Sequence, residues 1–228
     1  AGVAYADITT GEFATTQLPA PDLAAELERL QPAELLVPRD SALAESECGR
    51  AVTLLDPWHF DLEQAQNTLL GHFGVVSLEG FGCAGLPLAL RCAGAILQYL
   101  QETQKAILGQ ISHLATYSTA SYMTLDAQTR RNLELLQTSR TGTTKGSLLS
   151  VIDLTKTAMG GRLLRRWLNQ PLVDVRRLQA RQEVIEVFSV NTPLRAETTA
   201  LLAHLPDLER IVNRVASGVA TLREVISL

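Results

Sequence analysis

The sequence predicts an α/β domain followed by an all-helical one. Three observations carry that expectation. Strand-like runs alternate with helix-like runs as far as Phe73, the pattern of a layered α/β unit. From Leu86 onward apolar residues recur mainly at helical spacing. The charge also divides: residues 1–100 carry 4 basic and 13 acidic side chains, net −9, whereas residues 101–228 carry 16 basic and 11 acidic, net +5. Opposite charge in the two parts suggests separate surroundings, and the boundary is placed after residue 104.

Val3 and Tyr5, then Phe13, Thr15 and Gln17, read as two strands joined by a Gly-containing turn. Pro21-Asp22 opens a helix with Leu23, Leu27 and Leu30 on one side. Glu34–Pro38 and Val52–Asp56 are short strands, the second followed by a Pro57-Trp58 loop. Phe60–Phe73 reads as a helix. Leu86, Leu90, Ala93, Ile96, Leu97 and Leu100 line a long helix that Pro87 starts. Tyr117–Leu125 is expected to cross in extended form with Tyr122 and Met123 buried. Asp126 caps a helix reaching Leu136, and 140–146 form a loop. Asp174 caps a further helix, with Val175, Leu178, Ile185 and Phe188 inward and Arg176, Arg177 and Arg181 largely outward. Thr192-Pro193 reads as an N-cap followed by proline at the first helical position. Leu208, Ile211, Val212 and Val215 carry a short helix, Ser217-Gly218 turns the chain, and Thr221 starts a last helix.

With 46% hydrophobic and 19% charged residues, the chain has enough apolar mass for real cores. It contains no apolar run of 18 residues, so no transmembrane helix is expected. The start Ala-Gly-Val-Ala-Tyr lacks a basic n-region and the last helix lacks a stop signal, so the chain reads as part of a longer one. Cys48, Cys83 and Cys92 are odd in number and without metal-ligand spacing. They read as apolar fillers in a reducing, cytoplasmic setting. His59, His72, His113 and His204 are scattered, and no metal site is expected from them.

The segment Ser147–Leu172 concentrates the most information. Thr155 or Thr157 caps a helix that Pro171 stops. Met159, Leu163, Leu164, Trp167 and Leu168 fall on one face, expected to be core, and Arg162, Arg165 and Arg166 on another. Those arginines are candidates for DNA phosphates or interdomain contacts, weighed against pairing with carboxylates of neighbouring helices. Gly160-Gly161 would permit close helix approach. Asp153, in Asp-Leu-Thr-Lys-Thr, superficially matches an aspartyl-phosphate signature but lacks the second acid, and reads as a helix-start group. In Gly142-Thr-Thr-Lys-Gly the lysine precedes the second glycine, the wrong order for a phosphate-binding loop. Asp7, Glu12, Asp56 and Asp61 are the only candidates for a two-metal nuclease cluster, and surface acids are the preferred reading. No catalytic residue is therefore expected.

Taken together, Tyr122-Met-Thr-Leu-Asp-Ala-Gln-Thr-Arg-Arg-Asn-Leu-Glu-Leu135, Gly146-Ser-Leu-Leu149, Asp153–Leu172, Gly2–Phe13 and Asp207-Leu-Glu-Arg210 resemble the MutS-type DNA mismatch-repair proteins over nearly the whole chain. Asp126, Arg130, Asn132, Asp153, Gly160, Gly161 and Trp167 are the motif residues expected to be structural. The resemblance implies that 1–104 is an RNase H-like connector domain, used as a scaffold without nuclease chemistry. Residues 105–228 would be the first segment of a helical core, or lever, domain. It implies a non-catalytic role coupling mismatch binding to an ABC-type ATPase, and the long helix from Leu86 to about Thr103 is the candidate for transmitting movement. It also implies a MutL-type partner on the connector, a homodimeric parent, and ATP, magnesium and most DNA contacts in other domains. An RNase H-like nuclease and a free-standing helical DNA-binding module are the alternatives.

Overall fold

The structure, a computed structural model, describes residues 1–41, 51–123 and 125–228. The expectation for Cys48, and the place of Thr124 in its motif, lie outside the described residues. The chain divides into two compact units, one of Ala1–Ser118 with Asn213–Val219, the other of Thr119–Val212 with Ala220–Leu228. The change of charge after residue 104 and the limit of packing are separate things. Ile111 and Leu114 still belong to the first unit's core.

In chain order the first unit contains β1 (Gly2–Asp7), β2 (Glu12–Gln17), α1 (Leu23–Leu30), β3 (Glu34–Pro38), β4 (Ala51–Leu55), α2 (Leu62–Phe73), α3 (Pro87–Thr103) and β5 (Ala115–Thr116). Each of the expected strands and helices is present here. The described strands form a mixed sheet in the order β1-β2-β5 and a parallel pair β3-β4. β1 and β2 are antiparallel, with Val3 opposite Thr16 and Asp7 opposite Glu12. Their turn closes on Gly11 at φ 74°, where a Cβ would also stand 2.6 Å from the Gln110 carbonyl oxygen. Both constraints require glycine.

β5, not foreseen from the sequence, pairs in parallel with β2 and makes β2 the central strand. Phe13, Ala14, Thr15 and Thr16 are all buried instead of alternating, so both faces of β2 are covered. The buried threonines keep their hydroxyls satisfied. Thr15 Oγ1 lies 2.9 Å from the carbonyls of both Val3 and Ala89, and Thr16 Oγ1 donates to Tyr117 O at 2.7 Å. The core gathers Phe13, Leu69, Cys83, Leu90, Ala93, Leu97 and Leu100. The α3 members sit at helical spacing, so one stripe of that helix is inside. Cys83 serves as the expected filler, and burial pushes the Cys92 thiol up to about 11.

The rest of the chain is helical: α4 (Ala127–Asn132), α5 (Leu148–Ile152), α6 (Ala158–Asn169), α7 (Val175–Val190), α8 (Thr192–Leu202), α9 (Leu208–Ala216) and α10 (Leu222–Ile226). Several expectations need correction. The helix capped by Asp126 ends at Asn132 rather than Leu136, because Glu134 adopts φ 45° and accepts from Ser139 N and Oγ at 2.7 Å each. Met123 is half exposed. It is anchored through its backbone, N–H to Pro171 O at 2.7 Å, while Tyr122 bridges Leu172. The cap of α8 is Asn191, whose Oδ1 accepts from Leu194 N at 3.1 Å, and not Thr192. Most consequentially, α6 buries no residue, and Leu163 and Trp167 on its apolar face are exposed. Val175, Leu178 and Ile185 on α7 are exposed as well.

Candidate functional site

The second unit concentrates motif residues in one arrangement, and the first unit holds a close helix contact and a buried acid.

In the second unit the motif stretches 122–135 and 146–172 are stitched to each other. Asp126 caps α4, accepting from Thr129 N at 2.6 Å, and that backbone bond holds its carboxyl below the usual range. Within α4, Gln128 Nε2 donates to Asn132 Oδ1 at 2.8 Å. Arg130 reaches away from the helix: Nε donates to Leu125 O at 3.0 Å, and the other nitrogens donate to Asn169 Oδ1 and Asn169 O, each at 3.2 Å. A cation is thereby placed against the C-terminal carbonyls of α6, the favourable end of the helix dipole. Leu148 N and Leu149 N donate to the carbonyls of Glu134 and Leu135 at 3.0 and 2.9 Å. Leu125, Leu149 and Leu172 are buried at this seam, together with the Ser147 hydroxyl, which donates to Thr144 O at 2.6 Å. The buried role of Ser147 escaped the sequence reading. Its Oγ also accepts from Ser150 N, and the cap-plus-leucine pattern Ser-Leu-Leu was its signal.

Thr157, one of the two expected caps, accepts from Gly160 N at 3.0 Å. Asp153 is not a helix-start group. It is the C-cap of α5, and its carboxylate accepts from Thr155 Oγ1 at 2.6 Å and Thr155 N at 3.2 Å, which lowers its pKa. Gly160 and Gly161 do not admit another helix. A Cβ on Gly160 would meet Thr157 Oγ1 at 3.0 Å, and one on Gly161 would meet Thr155 Oγ1 at 3.4 Å. The glycines make room for the chain's own entry loop.

The three arginines of α6 separate. Arg162 forks onto Asp207, its two terminal nitrogens donating to Oδ2 and Oδ1 at 2.8 and 2.6 Å, and also donates to Glu209 Oε2 at 2.6 and 3.1 Å. These charge-assisted bonds hold the Asp207 carboxyl below its ordinary value. Arg165 is exposed and contributes to the lowering at Asp153, and Arg166 is exposed too. Trp167, expected in the core, instead lies under the Arg181 guanidinium, 3.8 Å from the ring centroid.

In the first unit, α2 and α3 cross with almost no separation. A Cβ on Gly94 would lie 2.4 Å from Ala65 Cβ, and Ala65 is fully buried. The close helix approach expected at Gly160-Gly161 is found here instead. The same unit holds a partnered acid: Glu26, buried on α1, accepts from Arg29 Nε at 2.8 Å and from Tyr117 OH at 2.5 Å. Burial and that bond together raise the Tyr117 pKa.

The carboxylates considered for a nuclease each have other work. Asp7 accepts from Thr9 N and Oγ1 at 2.8 and 2.7 Å, and Glu12 from Tyr5 OH at 2.8 Å. Asp56 pairs with Arg39 at 2.9 Å, and Asp61 caps α2. Among the described residues no group of three or more His, Cys, Asp or Glu is placed to hold a metal. The loop 138–146 is closed on itself, Thr138 N donating to Thr143 O and Gly142 N to Thr138 O, both at 2.9 Å. No described helix is long and apolar enough to cross a membrane.

Comparison with known proteins matches two successive family models to the chain. The family model described as MutS domain II matches residues 1–115, and MutS domain III matches residues 128–228. The chain belongs to the MutS family. The DNA mismatch repair protein MutS of Thermosynechococcus vestitus is 47% identical over all of this chain, which covers 28% of that relative. The same-named proteins of Nostoc punctiforme and Dehalococcoides mccartyi are 46% and 42% identical, again over the whole chain and 27% of their lengths. The chain thus spans little more than a quarter of the curated relatives it matches. Within the MutS family it corresponds to a mixed sheet with helices followed by a helical region.

Proposed function

We propose that these residues act as the connector and first core segment of a mismatch-repair protein, coupling a DNA site to an ATPase site without carrying chemistry of their own. The observation that bears the reading is the consecutive match to MutS domains II and III. The geometry supports it, because transmission needs packed elements that move as bodies. α3 is such an element, with Leu90, Ala93 and Leu97 buried and Gly94 in contact with Ala65. The connector boundary near residue 104, docking of a MutL-type partner on the first domain, a homodimeric parent and a cytoplasmic location belong to the same proposal. So does ATP and magnesium use by other domains. The exposed Arg165 and Arg166 are the remaining candidates for a DNA backbone or interdomain contact.

The decisive experiment uses the purified 228-residue chain. It is expected to show no magnesium-dependent ATP turnover and only weak, sequence-indifferent DNA binding. Robust turnover, or mismatch-selective binding by this chain alone, would overturn the reading.

A further inference from the structure

The turn Pro57–Phe60 connects β4 to α2 and carries a histidine that none of the preceding roles uses. His59 is 5% exposed, and its ring stacks on Trp58 with centroids 3.7 Å apart and planes 26° from parallel. Nδ1 lies 3.2 Å from the Asp56 carbonyl oxygen. Among the described residues Nε2 is buried with no hydrogen-bond partner, and it faces Glu102 Oε1 at 3.6 Å in the last turn of α3.

A carbonyl oxygen only accepts, so Nδ1 must carry a hydrogen to bond Asp56. A neutral ring then turns a bare, buried lone pair at Nε2 toward a carboxylate, one acceptor facing another. A second proton removes that conflict. Nε2–H then faces an anion at ion-pair distance, and the positive ring lies against the indole face. Burial opposes the charge, but the Glu102 side chain is 55% exposed and free to close the remaining gap.

Among the described residues, the other charged groups around the turn have partners of their own or lie at the start of α2. The Asp56 carboxylate is taken by Arg39, and Asp61 accepts from Gln64 N at the start of α2, where Glu63 also stands. On β3, Glu34 accepts from Thr53 Oγ1 and from Tyr99 OH of α3. These surroundings are acidic, and Glu102 is the carboxylate aimed at the ring.

We propose that His59 is a proton-operated latch: protonated, it ties the β4–α2 turn to the end of α3, and deprotonated, it lets go. The contact is made at low pH and lost as pH rises. It rests on this local geometry and is independent of the coupling role.

The test uses the full chain with Trp167→Phe, leaving Trp58 as its indole. Its emission is followed over about pH 5 to 8, where histidine changes charge. A charged ring stacked on the indole quenches it, so a one-proton transition is expected, with brighter emission at high pH. His59→Gln is expected to abolish the transition. Glu102→Gln, a change at an exposed position, is expected to move the transition toward lower pH. The His59 Cε1–H resonance, titrated by NMR in the same proteins, reads the site directly even if emission is flat. A transition that survives His59→Gln, or a His59 resonance whose midpoint Glu102→Gln leaves unmoved, would overturn the latch.

Discussion

Gly94 and Gly71 both lie inside helices of the first unit, yet they should respond oppositely to alanine. A Cβ at Gly94 would stand 2.4 Å from Ala65 Cβ, whereas one at Gly71 meets nothing within 4 Å. Gly94→Ala is expected to cost about 1–3 kcal/mol through overpacking. Gly71→Ala should be neutral or stabilise by up to about 1 kcal/mol, because glycine is a poor helix former. Chemical denaturation of the two variants checks both, and equal effects would refute the close crossing. Asp126 and Asp207 set a pH dependence. Their carboxyls lie below the ordinary value when folded, Asp126 through the Thr129 amide and Asp207 through Arg162. Such groups stabilise above the unfolded carboxylate range, and that contribution is lost as pH falls through the folded value. The stability difference between wild type and Asp207→Asn should therefore shrink on acidification below about pH 4. Caps such as Asp126, Asp174 and Thr157 were legible in the sequence because the partner amide lies two or three residues away. Gly94 was not, because its partner Ala65 lies on a different helix.

Among the helices, α3 and α6 illustrate how differently similar apolar patterns end. Leu97 of α3 is fully buried, so Leu97→Ala should cost about 2–5 kcal/mol. Leu164 of α6 is half-buried, and Leu164→Ala should cost about 1 kcal/mol, well below the value for a core position. A comparable loss at both sites would show that the α6 face is covered. Arg162→Ala removes a forked ion pair with Asp207 and a contact with Glu209, with an expected cost of about 1 kcal/mol. Its DNA affinity should keep the same salt slope, since a guanidinium already engaged by two carboxylates has no phosphate to release ions from. A flatter slope would place Arg162 on DNA. The strand β5 was illegible for a related reason. Two residues, Ala115 and Thr116, carry no periodicity, and only pairing with β2 makes them a strand.

For the molecule as a whole, membership of the MutS family and the order of its two domains follow from motifs spread along the chain. If the coupling role proposed above holds, Gly94→Ala in the full-length protein is expected to reduce ATP turnover more than it weakens DNA binding. Equal loss of both would argue against α3 as a transmitting element. By itself the sequence determined the family, the longer strands and helices, and caps such as Asp126, Asp174 and Thr157, since these depend on neighbours within a few residues or on recurring words. Tertiary structure alone decided that Asp153 ends a helix, that Trp167 lies beneath Arg181, that Arg162 belongs to Asp207, and that close packing falls at Gly94 rather than Gly160-Gly161. Helical periodicity shows that a face is apolar, but burial depends on which surface meets it. That meeting is made by residues distant in the chain.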